Sequence, residues 1–199
     1  MTMRCFTTLV LATALGGPMT PPTAQQQSSQ SNAPATASSQ NLQPNKGMIE
    51  KGTYKNPSIG LEFTPAENLD LQEPEMQGAT VTVTAQDRGW TAGLLSARSL
   101  TVFYAGPFSL YPERWRDATS HLKMVIRAQE ANGFQQIGSL ASGQMSGIQF
   151  LRADFTKGRV YEAILVTAHN GYAFVFIFTG SGVRVTNKLI ASTKVKFTS

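Results

Sequence analysis

The 199-residue sequence contains little cysteine and little charge. Its single cysteine, Cys5, lies near the N-terminus, so we expect no disulfide framework, zinc-thiolate site or cysteine nucleophile in the remainder. Only 15% of the residues are charged whereas 41% are hydrophobic, an ordinary balance that excludes a multispan membrane protein, a collagen and a wholly disordered chain. The length predicts one modest domain with a tail.

The N-terminus has the layout of a secretory signal peptide. One positive charge, Arg4, precedes an apolar run over residues 5–17 that is shorter than the ~20 residues a membrane-spanning helix needs. Cys5 is the first residue of this run, whereas a bacterial lipoprotein carries its lipidated cysteine just after the run, so lipid anchoring is not expected. We therefore predict a signal peptide over residues 1–24, cleaved between positions 16 and 24. The mature protein is expected to be secreted or periplasmic, without a transmembrane span.

Residues 25–47 are rich in Gln, Ser, Pro and Ala and contain almost no charge or large apolar side chain. Such a composition cannot offset the entropy of ordering, so we predict a disordered tether. Residues 48–199 are predicted to form one folded domain, a monomer.

Hydrophobic patterning predicts a chain of strands interrupted by one long helix. A hairpin is expected over residues 54–63, with further strands at 79–85, 99–104, 134–142, 147–156, 159–169 and 172–179. Asn170-Gly171 is the dipeptide favoured in two-residue type I′ turns, which makes the last two strands antiparallel neighbours. Both faces of the final strand are apolar, so it should be covered on both sides.

The clearest helix is predicted over residues 112–132. An apolar stripe at spacings of three and four, containing Trp115, Leu122 and Ile126, should face the core, and Gly133 suits a C-terminal cap. A short helix over residues 183–192 should bury Val185, Leu189 and Ile190. Together these elements predict an α+β fold in which helices cover a curved antiparallel sheet.

A family resemblance supports this expectation. The opening with Tyr54, Asn56, Gly60, Phe63 and Pro65, the amphipathic mid-chain helix, the apolar hairpins and the Lys196-Phe197 end resemble the Mog1/PsbP-like fold over residues 52–198. The resemblance implies an α/β/α sandwich. It also implies a non-catalytic binding or assembly module, since members of that group include photosystem extrinsic subunits and bacterial envelope lipoproteins.

No motif predicts catalysis. The two histidines, His121 and His169, lie on different elements, and the Asp117–His121 spacing is expected to give an exposed helical pair rather than an oriented base. The segment 180–182, Gly-Ser-Gly, precedes a helix and could bind an anion, but it lacks the glycines and lysine of a phosphate-binding loop. We expect a simple connection there.

Acidic residues are concentrated between positions 62 and 87 without the spacing of a calcium loop. They are Glu62, Glu67, Asp70, Glu73, Glu75 and Asp87. We predict a solvated acidic segment, no metal site and no cofactor.

The chain from residue 88 onward is basic, and the whole chain carries a net charge of +5. We expect Arg88, Trp90, Arg114 and Arg116 to contact a partner, which is predicted to be a protein or an anionic envelope component rather than nucleic acid. The leading hypothesis is an exported, non-catalytic binding module. The alternatives are a carrier of a small apolar ligand and a small exported hydrolase that uses one of the histidines.

Overall fold

The computed structural model describes residues 45–87 and 99–198, all of which belong to a compact unit over Gln43–Ser199. The described chain forms twelve strands and two α-helices. The strands are β1 (Met48–Glu50), β2 (Thr53–Asn56), β3 (Leu61–Thr64), β4 (Leu69–Leu71), β5 (Glu75–Gln77), β6 (Thr80–Asp87), β7 (Leu100–Pro107), β8 (Gln135–Met145), β9 (Ile148–Lys157), β10 (Val160–His169), β11 (Tyr172–Gly180) and β12 (Lys194–Phe197). The helices are α1 (Ala118–Ala131) and α2 (Val183–Ser192). The predicted signal peptide, most of the predicted tether and most of the loop predicted after Asp87 lie outside the described residues.

The strands form two antiparallel sheets. The large sheet has the order β4-β6-β7-β11-β10-β9-β8, and β5 pairs with β6. The small sheet has the order β1-β2-β3-β12, so the last strand of the chain closes against the first hairpin.

Tight turns connect many of these strands, because glycine and asparagine supply the positive φ angles that type I′ hairpins require. Asn170 and Gly171 have φ angles of 47° and 78°, which confirms the predicted turn between β10 and β11. The pairs Lys51-Gly52 and Ser146-Gly147 form equivalent turns that the sequence did not single out.

An aromatic cluster fills the space between the two sheets. Phe63 of the small sheet lies 5.9 Å from Phe103 and 5.8 Å from Phe176 of the large sheet, measured between ring centroids. Tyr54 and Phe174 extend the same cluster, and all five side chains are fully buried. The small sheet therefore forms a layer of the core and is not an appendage.

The opposite face of the large sheet is covered by α1. Leu122, Val125 and Ile126 are buried against Ile164 and Val175 in a second cluster. Strand β11 contributes to both clusters, so the prediction that its two faces are covered is confirmed.

The predicted fold class is wrong. The protein is a β-rich sandwich, with 54% of the described residues in strands and 21% in helices, and not an α+β fold with a helix-covered sheet. The difference arises because β1 pairs with β2 and β12 pairs with β3, which extends the predicted first hairpin into a four-stranded sheet. That sheet, together with α2, occupies the face where a helical layer was expected.

The long helix begins six residues later than predicted. Two 3-10 turns, Phe108–Leu110 and Glu113–Trp115, precede it, and the Asp117 side chain caps α1 by accepting hydrogen bonds from the backbone N–H groups of residues 119 and 120. Its C-terminal end agrees with the prediction, since Gly133 follows with a φ angle of 83°.

Helix α2 has the predicted bounds, but its buried face differs. Leu189 and Ile190 are buried as expected, whereas Val185 is 37% exposed and Thr186 takes the buried position. Gly180 allows the close approach of α2 to β11, since a Cβ atom there would lie 2.9 Å from the Thr186 hydroxyl oxygen.

Candidate functional site

Two arginines lie over the ring of a half-buried tryptophan on the surface beside the start of α1. The guanidinium carbons of Arg114 and Arg127 each lie 5.4 Å from the centroid of the Trp115 ring. Both arginines are exposed and Trp115 is partly exposed. At this distance each cation interacts favourably with the ring electrons, which orients it without neutralising it. We call Arg114, Trp115 and Arg127 the arginine–tryptophan surface.

Local backbone structure positions these three side chains. The 3-10 turn places Trp115 through a hydrogen bond from its backbone N–H to the carbonyl of Pro112 at 2.8 Å. Arg127 lies on the third turn of α1, and side chains of a helix lean toward its N-terminus, so the guanidinium reaches back to the indole. Arg116 supports the segment, since its Nε donates to the carbonyl of Tyr111 at 2.9 Å.

The cations of this surface have no carboxylate partner in the part of the chain that the structure describes. The described ion pairs join Lys46 with Glu73, Lys55 with Glu50 and Arg152 with Asp154. Exposed arginines held on an aromatic ring present planar, bidentate donors to a partner at little further cost in side-chain entropy. The surface is therefore suited to binding carboxylates.

The predicted contact residues have different outcomes. Arg114 is part of the arginine–tryptophan surface, and Arg116 holds the adjoining backbone through its hydrogen bond to the carbonyl of Tyr111. Arg88 and Trp90 lie outside the described residues. Trp115 was expected to face the core, but it lies before α1 and is partly exposed, with the two arginine cations over its ring. Arg127 was not singled out at all.

His121 is not the exposed partner of Asp117 that the spacing predicted. Its side chain is fully buried, with Tyr111 at 4.7 Å and Phe108 at 6.1 Å between ring centroids, both in edge contact. Within the described residues neither ring nitrogen has a hydrogen-bond partner of good geometry. Burial lowers the pKa of His121 to about 4, while the backbone of Trp115 and the charge of Asp117 act in the opposite direction.

His169 is the last residue of β10, and it forms no hydrogen bond or ion pair with a carboxylate or a serine among the described residues. Its Nε2 is 3.4 Å from the carbonyl oxygen of Thr198, and its ring stacks on Phe197 at 4.4 Å. The geometry that a histidine hydrolase requires, with serine and aspartate within hydrogen-bond reach, is found at neither histidine in this part of the chain.

The acidic segment is engaged in local contacts. Glu73 pairs with Lys46 at 2.6 Å, and Asp87 accepts hydrogen bonds from the Asn68 amide at 2.7 Å and the Ser99 backbone N–H at 2.8 Å. No group of three or more potential metal ligands occurs within residues 45–87 and 99–198.

A shallow groove of about 460 Å³ lies between the β9–β10 turn and the start of α2. Arg159, Tyr161 and Ser181 are among the residues that line it, and no side chain caps the N-terminus of α2. The segment 180–182, which we expected to be a simple connection, adjoins this groove, and the close contact of Gly180 with Thr186 accounts for the glycine at position 180.

The alternative of an apolar-ligand carrier would need a cavity along the phenylalanine face of β11, but that face is filled with side chains. Phe174, Phe176 and Phe178 are fully buried, and Phe176 packs against Phe103 at 5.0 Å and Phe150 at 5.7 Å between ring centroids. The groove described above does not include any of them.

A buried carboxyl lies on the α1 side of the large sheet. Glu162 is 6% exposed, its Oε2 accepts a hydrogen bond from the Thr179 hydroxyl at 3.4 Å, and its Oε1 has no partner in the described structure. Burial raises the pKa of Glu162 to about 7 against the opposing effect of the Thr179 hydrogen bond. Glu162 was not singled out from the sequence, although a carboxyl within an otherwise apolar strand is the signal that could have found it.

No model of a known protein family matches the chain, and no curated protein matches it either. The resemblance to the Mog1/PsbP-like group therefore stays a prediction. In the described part of the chain no helix is both long enough and apolar enough to cross a membrane.

Proposed function

We propose that the protein is an exported, non-catalytic binding or assembly module that docks a partner protein through the arginine–tryptophan surface. The observation that supports this most is the pair of exposed guanidinium groups held 5.4 Å from one half-buried indole without a carboxylate partner. Tryptophan and arginine are the residues most enriched among the energetically dominant positions of protein interfaces.

The charges around the surface favour a protein with carboxylates over an extended polyanion. Glu113, Asp117 and Glu130 are exposed on the same segment and on α1, so the basic area is small and interrupted. A membrane or cell-wall polymer gains affinity from a broad basic field, whereas a few oriented guanidinium groups match carboxylates at fixed positions. An anionic envelope component is therefore the second candidate partner for the same surface.

The proposal does not depend on the resemblance to the Mog1/PsbP-like group. The alternatives of a small-molecule carrier and a hydrolase gain no support from the described residues, because the aromatic face is filled and each histidine lacks a serine or aspartate partner.

The test uses the full chain and a polyglutamate peptide as the probe in isothermal titration calorimetry. We expect saturable binding that weakens with added salt. Arg114→Glu with Arg127→Glu should reduce the affinity at least about tenfold, or 1.4 kcal/mol.

The matched control is Arg184→Glu with Lys188→Glu on the exposed side of α2, which changes the net charge by the same amount. It should leave the affinity within about twofold. Equal losses in the two double variants would contradict a defined site. Binding to anionic vesicles but not to the peptide, lost in the first variant, would assign the surface to an envelope lipid instead.

A further inference from the structure

Strand β8 is the outer strand of the large sheet, and it differs from every other edge strand that the structure describes. It is eleven residues long and pairs only with β9. None of its residues is charged, and Ile137 and Leu140 are 42% and 40% exposed. The edges formed by β1, β4, β5 and β12 are only three or four residues long, and each carries a charged residue.

Unpaired edge strands attract other strands, and proteins commonly protect them with charges, proline or short length. Over residues 141–145 β8 has none of these protections. Its one protection is a bulge, since three residues between Ile137 and Ala141 lie opposite a single residue of β9, with Gly138 at a φ angle of 69°. The bulge limits a regular added strand to the segment 141–145.

The free backbone groups of this segment follow from the hairpin geometry. Met145 and Ile148 flank a two-residue turn, so they form a hydrogen-bonded pair, and such pairs alternate along the ladder. Residues 141, 143 and 145 therefore direct their backbone groups toward β9. Ser142 and Gln144 direct their N–H and C=O groups outward.

We propose that β8 pairs with β8 of a second copy of this chain, antiparallel and centred on Gly143. In that register Ser142 of each copy lies opposite Gln144 of the other, and the two pairs form four backbone hydrogen bonds. Gly143 lies opposite its own counterpart in a non-hydrogen-bonded pair, where side chains come closest. Glycine places no side chain at that point.

The absence of charge on β8 makes this edge the place where two copies of the chain can meet. The protein carries a net charge of +5, so two copies repel one another across most surfaces. An uncharged strand places no like charges opposite each other in a symmetric pair. The nearest charges on β9, Arg152 and Asp154, are paired with each other at 2.8 Å, which extends the neutral strip.

The test is sedimentation equilibrium of the full chain over a concentration series that reaches the millimolar range. We expect the average mass to rise toward twice that of the monomer. Gln144→Lys should abolish the rise, because lysine protects an edge strand. Gln149→Lys, the same change on the exposed cross-strand neighbour in β9, should leave it intact.

A second variant and a second measurement keep the result independent of folding defects. Ser142→Pro removes an outward N–H without breaking the β8–β9 ladder, and it should also prevent association while the far-UV circular dichroism spectrum stays unchanged. Amide hydrogen exchange at Ser142 and Gln144 should slow as the protein concentration rises.

Three outcomes would overturn the proposal. One is a monomeric mass at every concentration, and another is association that Gln144→Lys does not change. The third is slowed exchange at Ser142 and Gln144 only when other proteins are added to a monomeric chain, which would assign the edge to a different partner.

Discussion

Glu162 offers a sharp test of how the large sheet packs beneath α1. Its carboxyl is 6% exposed, one oxygen has no partner among the described residues, and the other has only the 3.4 Å hydrogen bond from Thr179. Burial raises its pKa from 4.5 to about 7. The perturbation is Glu162→Gln, which keeps the shape of the side chain and an acceptor for Thr179 but cannot ionise.

The size of the effect follows from proton linkage. The folded chain keeps this proton up to about pH 7, whereas the unfolded chain loses it near pH 4.5, so folding becomes less favourable as the pH rises through that window. One pKa unit corresponds to about 1.4 kcal/mol, which makes the full cost roughly 3 kcal/mol above pH 7. Relative to the native chain, Glu162→Gln should therefore gain roughly 3 kcal/mol of unfolding free energy between pH 4 and pH 8.

The assay is urea unfolding followed by circular dichroism at pH 4, 6 and 8. Native chain and variant are compared at each pH, so that the contributions of all other titratable groups to the difference in unfolding free energy cancel. Any fixed cost of burying the amide also cancels in the pH difference. Glu130→Gln, on the exposed side of α1, controls for the loss of one surface charge. A stability difference for Glu162→Gln that is the same at pH 4 and pH 8 would refute the reasoning.

Three further predictions concern single side chains. Relative to the native chain, His121→Phe should gain roughly 3 kcal/mol of unfolding free energy as the pH falls from 7 to 4. The native chain loses stability in this range because the pKa of His121 is 6.5 in the unfolded chain and about 4 in the folded chain. An NMR titration midpoint of His121 near 6.5 would contradict this. Phe176→Ala should cost about 3–5 kcal/mol in urea unfolding, and a cost under about 1 kcal/mol would contradict the close packing of the aromatic cluster. Asp117→Ala should cost about 1 kcal/mol and Asp117→Asn much less, since asparagine keeps the capping acceptor; equal costs would argue against the cap.

Local patterns predicted the elements well. The turn at Asn170-Gly171, the two apolar faces of β11 and the C-terminal end of α1 at Gly133 each depend on a few adjacent residues, and all three are present. These features follow from backbone preferences and periodicity, which are readable without knowledge of distant contacts.

The layer arrangement could not be predicted in the same way. β12 pairs with β3 although about 130 residues separate them, and neither strand has a sequence pattern that identifies the strand it pairs with. β1, β4 and β5 are only three residues long, too short for an alternating pattern to stand out. The four-stranded sheet that changes the fold class therefore depends on long-range pairing.

The candidate site was found in part. Arg114 was named from its charge, but Trp115 was assigned to the core because its spacing from Leu122 fits a helical stripe. The helix begins only at residue 118, so that spacing does not apply to Trp115. Arg127 joins the site because its side chain reaches back along α1, which its position in the sequence does not indicate.

The most direct test of the proposed docking function is an NMR titration of the full chain with a polyglutamate peptide. The account predicts that the shifts concentrate on the backbone amides of residues 113–127 and on the indole N–H of Trp115, and that they disappear in the Arg114→Glu, Arg127→Glu variant. Shifts centred on α2 or on the groove near Arg159, or equal shifts in the variant, would contradict it.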